Sequence, residues 1–126
     1  MIKILLVGLG GFIGSVFRYL LGNWVSRLLN NPEFPYGTFA VNIIGCLIIG
    51  FLGGIVNLRQ GFTSEIRLFL FVGILGGFTT FSSFGYETFL LLNDGKNIMA
   101  GINIISHVII GLIAVWIGYR LSVVCI

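Results

Sequence analysis

Four long apolar segments, separated by short polar stretches, dominate the chain. A bilayer core about 30 Å thick requires about 20 mostly apolar residues per helix. Four segments meet this requirement, and they predict membrane spans over residues 4–28, 38–56, 66–92 and 98–123. The stretches between them contain proline, asparagine and glycine, which end helices and form turns. The pattern predicts an all-α integral membrane protein, with residues 1–126 as a single four-helix membrane domain.

The composition supports this prediction and narrows the classes of function. The chain is 57% hydrophobic and only 9% charged, whereas soluble domains carry about 25% charged residues. The net charge of +3 is not concentrated in a basic run, so we expect no nucleic-acid partner. The high hydrophobic content instead indicates that the lipid bilayer surrounds the protein. One histidine and two distant cysteines cannot make a zinc site. No nucleophile and carboxylate accompany the histidine at a recognisable spacing, so we do not expect an enzyme.

The basic residues at the span ends give a weak orientation signal. An even number of spans places both termini on one side of the membrane. The side of the termini would hold Lys3, Arg59, Arg67 and Arg120, and the other side would hold Arg27 and Lys96. This small excess leans towards termini inside the cell. It does not force one orientation, so insertion in both senses remains open.

The first apolar segment contains a glycine pattern with two interpretations. Gly8, Gly11 and Gly14 form G-x-x-G-x-x-G, which is typical of a nucleotide-binding turn that approaches a pyrophosphate. Such a site also needs an acidic residue about 20 positions further on, and the nearest acid is Glu33, in the proline-containing loop. The glycines are therefore predicted to serve helix packing.

Small residues four apart also recur in three of the predicted spans. Such pairs let membrane helices approach closely. The pairs are Gly10 with Gly14, Gly50 with Gly54, and Gly73 with Gly77. The spacing leaves open whether these pairs pack within one chain or form a dimer face.

The stretch GILGGFTTFSSFGYE at 73–87 is unusually polar for the middle of a span. Paired glycines and clustered hydroxyls weaken an α-helix, and a broken helix is tolerated at bilayer depth only where protein or water satisfies it. We therefore predict that the third helix is broken near Gly76 to Thr80. Freed carbonyls at such a break can hold a small cation such as Na⁺. A kink satisfied by hydroxyls alone is the alternative.

Two phenylalanines follow this predicted break. Phe81 and Phe84 are three residues apart and share one helical face. They are explained either by ordinary core packing or by the positive edges of their rings, which attract an anion. Beside a row of hydroxyl donors, the second explanation predicts an anion path.

Four other polar residues within the predicted spans are candidates for a function. The amide of Asn42 either donates to an anion or makes an interhelical bond. Arg18 either snorkels to the surface or draws anions into a vestibule. His107 and Glu87 are functional candidates because ionisable groups are rare at this depth. Packing for His107 and exposure to water for Glu87 are the alternatives.

At this point the chain resembles the Fluc family of fluoride channels, also called CrcB, over essentially its whole length. The resemblance rests on GGFIGSVFRY at 10–19, GTFAVN at 37–42, GGFTTFSSF at 76–84 and the polar His107. It implies a fluoride-specific channel that gives passive export across a prokaryotic plasma or inner membrane and relieves fluoride toxicity. It also implies an antiparallel, dual-topology homodimer with two pathways along the interface.

The same resemblance implies roles for individual residues. It assigns fluoride coordination to the Asn42 amide and to the ring edges of Phe81 and Phe84. A structural Na⁺ at the dimer centre, which is not transported, would be held by the backbone carbonyls of Gly76 and Thr79. The remaining pathway residues would be Thr80, Ser82, Ser83, Arg18 and His107, and the role of His107 stays open because its position varies in the family.

Two other classes of protein share part of the pattern. A small proton-coupled multidrug exporter would need a central acid in the first span, where this chain has Arg18 and no acid before Glu33. A non-transporting membrane scaffold would explain the glycines but not the hydroxyl row beside a predicted break. Counting ion flux separates both from a channel.

Overall fold

The computed structural model describes residues 1–59 and 61–125, leaving out the side chain of Arg59. Four spans form the chain: span 1 (Ile2–Leu29), span 2 (Tyr36–Arg59), span 3 (Ser64–Asn93) and span 4 (Asn97–Cys125). All four are long and apolar enough to cross a membrane. No strand occurs among the described residues. The prediction of an all-helical chain with four spans is confirmed, and the helices extend a few residues beyond the predicted ends.

Span 3 is less regular than the other three. It begins as an α-helix over Ser64–Arg67, continues as a π-helix over Leu68–Leu75 and returns to an α-helix over Gly76–Phe78. Thr79 and Thr80 have extended backbone. A second α-helix then runs over Phe81–Asn93. We call residues 64–78 the N-terminal half of span 3 and Phe81–Asn93 its C-terminal half.

The spans pack in two main pairs, span 1 against the N-terminal half of span 3 and span 2 against span 4. Glycines allow both contacts. A Cβ added at Gly14 would collide with the backbone carbonyl of Ile74, and one added at Gly50 would collide with the carbonyl of Val115. A Cβ at Gly77 would lie 2.6 Å from the carbonyl oxygen of Gly11. The small-residue pairs noted in the sequence therefore pack within one chain.

Short connections join the spans. Span 1 ends at Asn30, whose left-handed backbone (φ 42°) lets its N–H donate to the carbonyl of Ser26. Between spans 3 and 4, Gly95 has φ 73°, which favours glycine. These turns reverse the chain between spans 1 and 2 and between spans 3 and 4. The first half of span 2 lies beside the extended residues of span 3, where a Cβ added at Gly45 would collide with the Thr79 side chain.

The outer surface of the four helices is strongly apolar, with large exposed apolar side chains along every span. The buried apolar residues are few: Val41, Leu75, Phe78, Leu91, Ala100 and Ala114. Polar side chains instead occupy part of the interior, and Asn103 is fully buried (0% exposed). The fold therefore presents apolar surface outwards and concentrates its polar groups between spans 2, 3 and 4.

Candidate functional site

The two extended threonines of span 3 end one helix and begin the next. The Thr79 N–H and Oγ1 both donate to the carbonyl of Leu75, at 2.9 and 2.8 Å. The backbone of Thr79 then turns to φ −83°, ψ 157°, and Thr80 continues at φ −150°, ψ 107°. The Thr79 N–H thus keeps its helical partner, but the extended backbone takes the Thr80 N–H out of the helical pattern. The polar groups of Thr80 are therefore open to partners from another span.

Asn42 of span 2 supplies those partners to Thr80. The Thr80 N–H donates to Asn42 Oδ1 at 2.8 Å, and Asn42 Nδ2 donates to the Thr80 carbonyl at 3.1 Å. Thr80 is only 9% exposed, so its N–H would otherwise be buried without a partner. Its carbonyl, as that of the N-cap residue, also accepts the first hydrogen bond of the C-terminal half of span 3. The interhelical bond considered for Asn42 in the sequence is thus present, and it is double.

The diverted hydrogen bonds release backbone carbonyls near Gly76 and Thr79. In a continuous helix the Thr80 N–H would donate to the Gly76 carbonyl, but here it donates to Asn42. The Ser83 N–H would likewise donate to the Thr79 carbonyl, but it donates to Thr80 Oγ1 at 3.2 Å. Both carbonyls therefore lack the helical donor that they would have in an unbroken span.

Hydroxyl groups cluster where the C-terminal half of span 3 begins. Thr80 Oγ1 caps this helix, donates to Ser83 Oγ at 3.0 Å and lies 3.4 Å from Ser82 Oγ. Because Thr80 uses its hydrogen on Ser83, the hydroxyl hydrogen of Ser83 is available to another acceptor. Ser83 is half-buried, whereas Ser82 is exposed on the protomer surface.

The two candidate phenylalanines occupy different surroundings. Their ring centroids are 5.5 Å apart with a tilt of 47°. Phe84 is half-buried and lies against the His107 ring, with centroids 4.5 Å apart. Phe81 is 84% exposed in the protomer. Core packing therefore explains Phe84 in part, but it does not explain Phe81.

His107 lies between span 2 and span 3. Its Nδ1 is 2.9 Å from the backbone carbonyl oxygen of Asn103, and its Nε2 is 3.3 Å from Asn42 Nδ2. The ring of Phe39 contacts the imidazole ring edge to face, with a centroid separation of 5.1 Å and an interplanar angle of 86°. The structure thus joins Asn42, Phe84 and His107 into one cluster.

A cavity of about 290 Å³ lies on the other side of Thr80. Arg18 and Asn23 of span 1 line it together with Ser83 and Glu87 of span 3. Arg18 is half-buried there, and it lies away from the cluster of Asn42, Phe84 and His107. The cavity therefore combines one cationic side chain and hydroxyl donors with the carboxyl group of Glu87.

A second cavity, of about 390 Å³, opens on the surface beside the extended threonines. Gly76, Thr79 and Phe81 line it, together with Asn42. Thr80 lines both cavities. Seven of the predicted site residues therefore line one or both cavities: Arg18 and Ser83 the first, Asn42, Phe81, Gly76 and Thr79 the second, and Thr80 both. Ser82, Phe84 and His107 line neither of these two cavities.

Several polar contacts of the site were not predicted from the sequence. Thr38 Oγ1 donates to Glu87 Oε1 at 2.7 Å in the first cavity, while Glu87 Oε2 is buried without a partner among the described residues. Asn103 Nδ2 donates to Thr88 Oγ1 at 2.8 Å, which supports the C-terminal half of span 3. The position of Asn103, four residues before His107 and so on the same helical face, was the signal available for it.

Comparison with known proteins agrees with this architecture. The family model described as CrcB-like protein, Camphor Resistance (CrcB), matches residues 5–119. A protein of Methylobacillus flagellatus named "Fluoride-specific ion channel FluC" is 47% identical over 122 residues, covering 96% of this chain and 94% of the relative. A protein of Agrobacterium fabrum with the same name is 47% identical, covering 97% of each chain.

A third relative is similar over nearly the whole chain. The Methanosarcina barkeri protein named "Fluoride-specific ion channel FluC 3" is 44% identical over 118 residues, covering 94% of this chain and 88% of the relative. The relatives are named as ion channels, which agrees with the expectation that this chain is not an enzyme. With its four spans, the chain is a multi-pass protein of the prokaryotic plasma membrane. Because the family model and the relatives match it along nearly its whole length, the chain belongs to the CrcB-like family.

Proposed function

We propose that the protein is a fluoride-specific channel that lets fluoride leave the cell passively and so limits its toxicity. The observation that carries this proposal is the position of Thr80, which lines two cavities at an interruption of span 3. One cavity carries Arg18, and the other carries Phe81 and the Asn42 amide. Two cavities that share Thr80 suit a route for an ion that crosses the membrane, and the names of the relatives give fluoride as the ion.

The chemistry of the two cavities suits a small, strongly hydrated anion. A pore must replace the hydration shell of its ion with well-placed donors, yet bind it weakly enough for release. Arg18 attracts the anion into the first cavity, and the hydroxyl of Ser83, whose hydrogen is free because Thr80 donates to its oxygen, replaces part of the anion's water. The positive ring edges of Phe81 and Phe84 then contact it without a full positive charge that would trap it. Chloride is larger and would be excluded by a narrow passage.

We also propose that two copies associate in opposite orientations, with two pathways along their interface. Phe81 is 84% exposed beside the freed carbonyls of Gly76 and Thr79. Non-helical backbone is not tolerated against lipid, so a second copy of the chain is the natural cover for this surface. The weak charge bias between the two sides of the membrane permits insertion in both orientations.

A structural Na⁺ at the centre of this dimer fits the same residues. The carbonyls of Gly76 and Thr79 lack their helical donors and line one cavity. Carbonyl oxygens are suitable ligands for Na⁺ at a helix interruption. One chain supplies only two of them, so the proposed ion would lie between equivalent pairs from both copies. It would hold the interface together without itself crossing the membrane.

Fluoride efflux from proteoliposomes, followed with a fluoride electrode, tests the proposed function. We expect rapid release of fluoride with little release of chloride in the matched control, and no requirement for a pH gradient. Release that depends on a proton gradient would indicate an exporter, and no release from folded protein in Na⁺ would indicate a scaffold. Cross-linking of engineered cysteines across the exposed face at Phe81 tests the arrangement of the two copies.

A further inference from the structure

The contacts of His107 determine where its ring carries hydrogen. Nδ1 lies 2.9 Å from the backbone carbonyl oxygen of Asn103, and a carbonyl can only accept a hydrogen bond. Nδ1 must therefore be the protonated nitrogen. In the neutral ring this leaves a lone pair on Nε2, which lies 3.3 Å from Asn42 Nδ2. The ring presents an acceptor to Asn42.

The orientation of the Asn42 amide is determined independently by Thr80. The Thr80 N–H requires the oxygen Oδ1, and the Thr80 carbonyl requires the nitrogen Nδ2. Reversing the amide would set donor against donor and acceptor against acceptor. Nδ2 therefore faces His107, and its second hydrogen is directed to the Nε2 lone pair. The bonds to Thr80 thus make Asn42 Nδ2 the donor, and the bond to Asn103 makes His107 Nε2 the acceptor, so the two assignments are compatible with one hydrogen bond.

The ring of His107 has little freedom to leave this position. Phe84 lies against it at 4.5 Å, and Phe39 contacts it edge to face at 5.1 Å. Its anchor, Asn103, is fully buried and donates through Nδ2 to Thr88 Oγ1. Span 4 therefore holds the acceptor at a fixed place beside the Asn42 amide.

We propose that His107 is a positioning residue for Asn42, its Nε2 accepting the amide hydrogen that the permeating anion takes over. This inference rests on the proposed function and refines it. Both Asn42 N–H groups are used in the structure, one on the Thr80 carbonyl at 3.1 Å and one on His107 at 3.3 Å. The Thr80 bond maintains the interruption of span 3, so the hydrogen given to an anion is the one held by His107.

Three substitutions separate this role from simple packing. His107→Gln places an acceptor near the position of Nε2 and gives up the contact with Asn103. His107→Asn is shorter and reaches only the Asn103 carbonyl, while His107→Phe fills the space and offers neither contact. We expect fluoride efflux within a few-fold of the unmodified protein for His107→Gln, and losses of about tenfold or more for the other two, as for a buried donor left unpaired.

The relative fluoride efflux of the three variants tests the proposal. Retained efflux in His107→Asn with loss in His107→Gln would assign the residue to its Asn103 contact and overturn the proposal. Equal efflux in all three folded variants, or equal loss in all three, would overturn it as well. Folding of each variant is checked by size-exclusion chromatography in detergent containing Na⁺.

A second measurement does not depend on fluoride conduction or on any His107 variant. The chain contains one histidine, so ¹⁵N labelling of histidine gives an unambiguous NMR signal for His107 in the full-length protein. We expect a protonated Nδ1 and an unprotonated Nε2 at neutral pH, with Asn42→Ala moving mainly the Nε2 resonance. A ring protonated at Nε2 would overturn the proposal. Failure of efflux with the expected tautomer would instead count against the proposed function alone.

Discussion

The Asn42 amide binds both backbone polar groups of Thr80, accepting from its N–H at 2.8 Å and donating to its carbonyl at 3.1 Å. The two residues are 38 positions apart and belong to different spans. The side-chain amide hydrogen-bonds to the N–H and the carbonyl of an extended residue, as the backbone of a neighbouring strand does in a β-sheet. The local geometry of span 3 is therefore tied to span 2 through one residue.

Replacing Asn42 should disturb both structure and transport. In Asn42→Ala the buried N–H of Thr80 loses its partner, and an unsatisfied buried group costs about 1–3 kcal/mol. We expect a lower unfolding temperature in detergent and a strong loss of fluoride efflux. Asn57→Ala is the matched control, because Asn57 is exposed near the end of the same span. Equal unfolding temperatures for the two variants would contradict the pairing.

The two phenylalanines should be needed for flux but should differ in their effect on stability. Phe81→Ile and Phe84→Ile remove the polar ring edges while keeping apolar volume, so we expect both to reduce fluoride efflux sharply. Only Phe84→Ile should also lower the unfolding temperature of the protomer fold, because Phe84 lies against His107 and Phe81 is exposed. Phe89→Ile, at another exposed phenylalanine of the same half-span, is the control. Normal efflux in both well-folded pathway variants would refute the ring-edge assignment.

Removal of Na⁺ should weaken the proposed dimer. If the freed carbonyls of Gly76 and Thr79 bind Na⁺, purification in N-methylglucamine should increase the monomer fraction or abolish efflux. Light scattering after size-exclusion chromatography measures the first effect, and proteoliposome efflux measures the second. Restoring Na⁺, with K⁺ as a comparison of ion size, should reverse the change selectively. A dimer and a flux that are both indifferent to Na⁺ would argue against the carbonyl site.

The contact between span 1 and span 3 should tolerate no added methyl group at Gly14. A Cβ there would collide with the Ile74 carbonyl, which is backbone and cannot move aside cheaply. We expect Gly14→Ala to destabilise the protein by about 1–3 kcal/mol. Gly8→Ala, in the same helix, meets nothing within 4 Å and should be neutral or slightly stabilising, because alanine favours a helix over glycine. Thermal unfolding of both variants in detergent tests the difference, and a similar effect at both positions would contradict the packing.

The four spans could be predicted from the sequence because the thickness and polarity of a bilayer leave few choices. Thr79 and Thr80, the extended pair, fall inside the interval expected to be irregular, since glycines and hydroxyls signal a weak helix locally. The π-helix over Leu68–Leu75 was not predicted, because its uniformly apolar sequence carries no local signal that distinguishes it from an α-helix.

The partners of the polar side chains could not be predicted for a different reason. The pairing of Asn42 with both groups of Thr80, and that of Thr38 with Glu87, depends on how spans 2 and 3 dock. A sequence pattern gives the face on which a residue lies, but not the depth at which two helices meet. The same limit applied to Asn103, whose contact with Thr88 links spans 3 and 4.

Thr80 has no unused polar group: its N–H and carbonyl are bonded to Asn42, and its hydroxyl both caps Ser83 and donates to it. Because every polar atom of Thr80 is hydrogen-bonded, the residue resists rotation, and the proposed pathway beside it would not widen by its movement. The pathway would therefore keep one diameter at this position. Selection between halides by size would then need no conformational change, so it would act equally on ions that arrive from either side of the membrane.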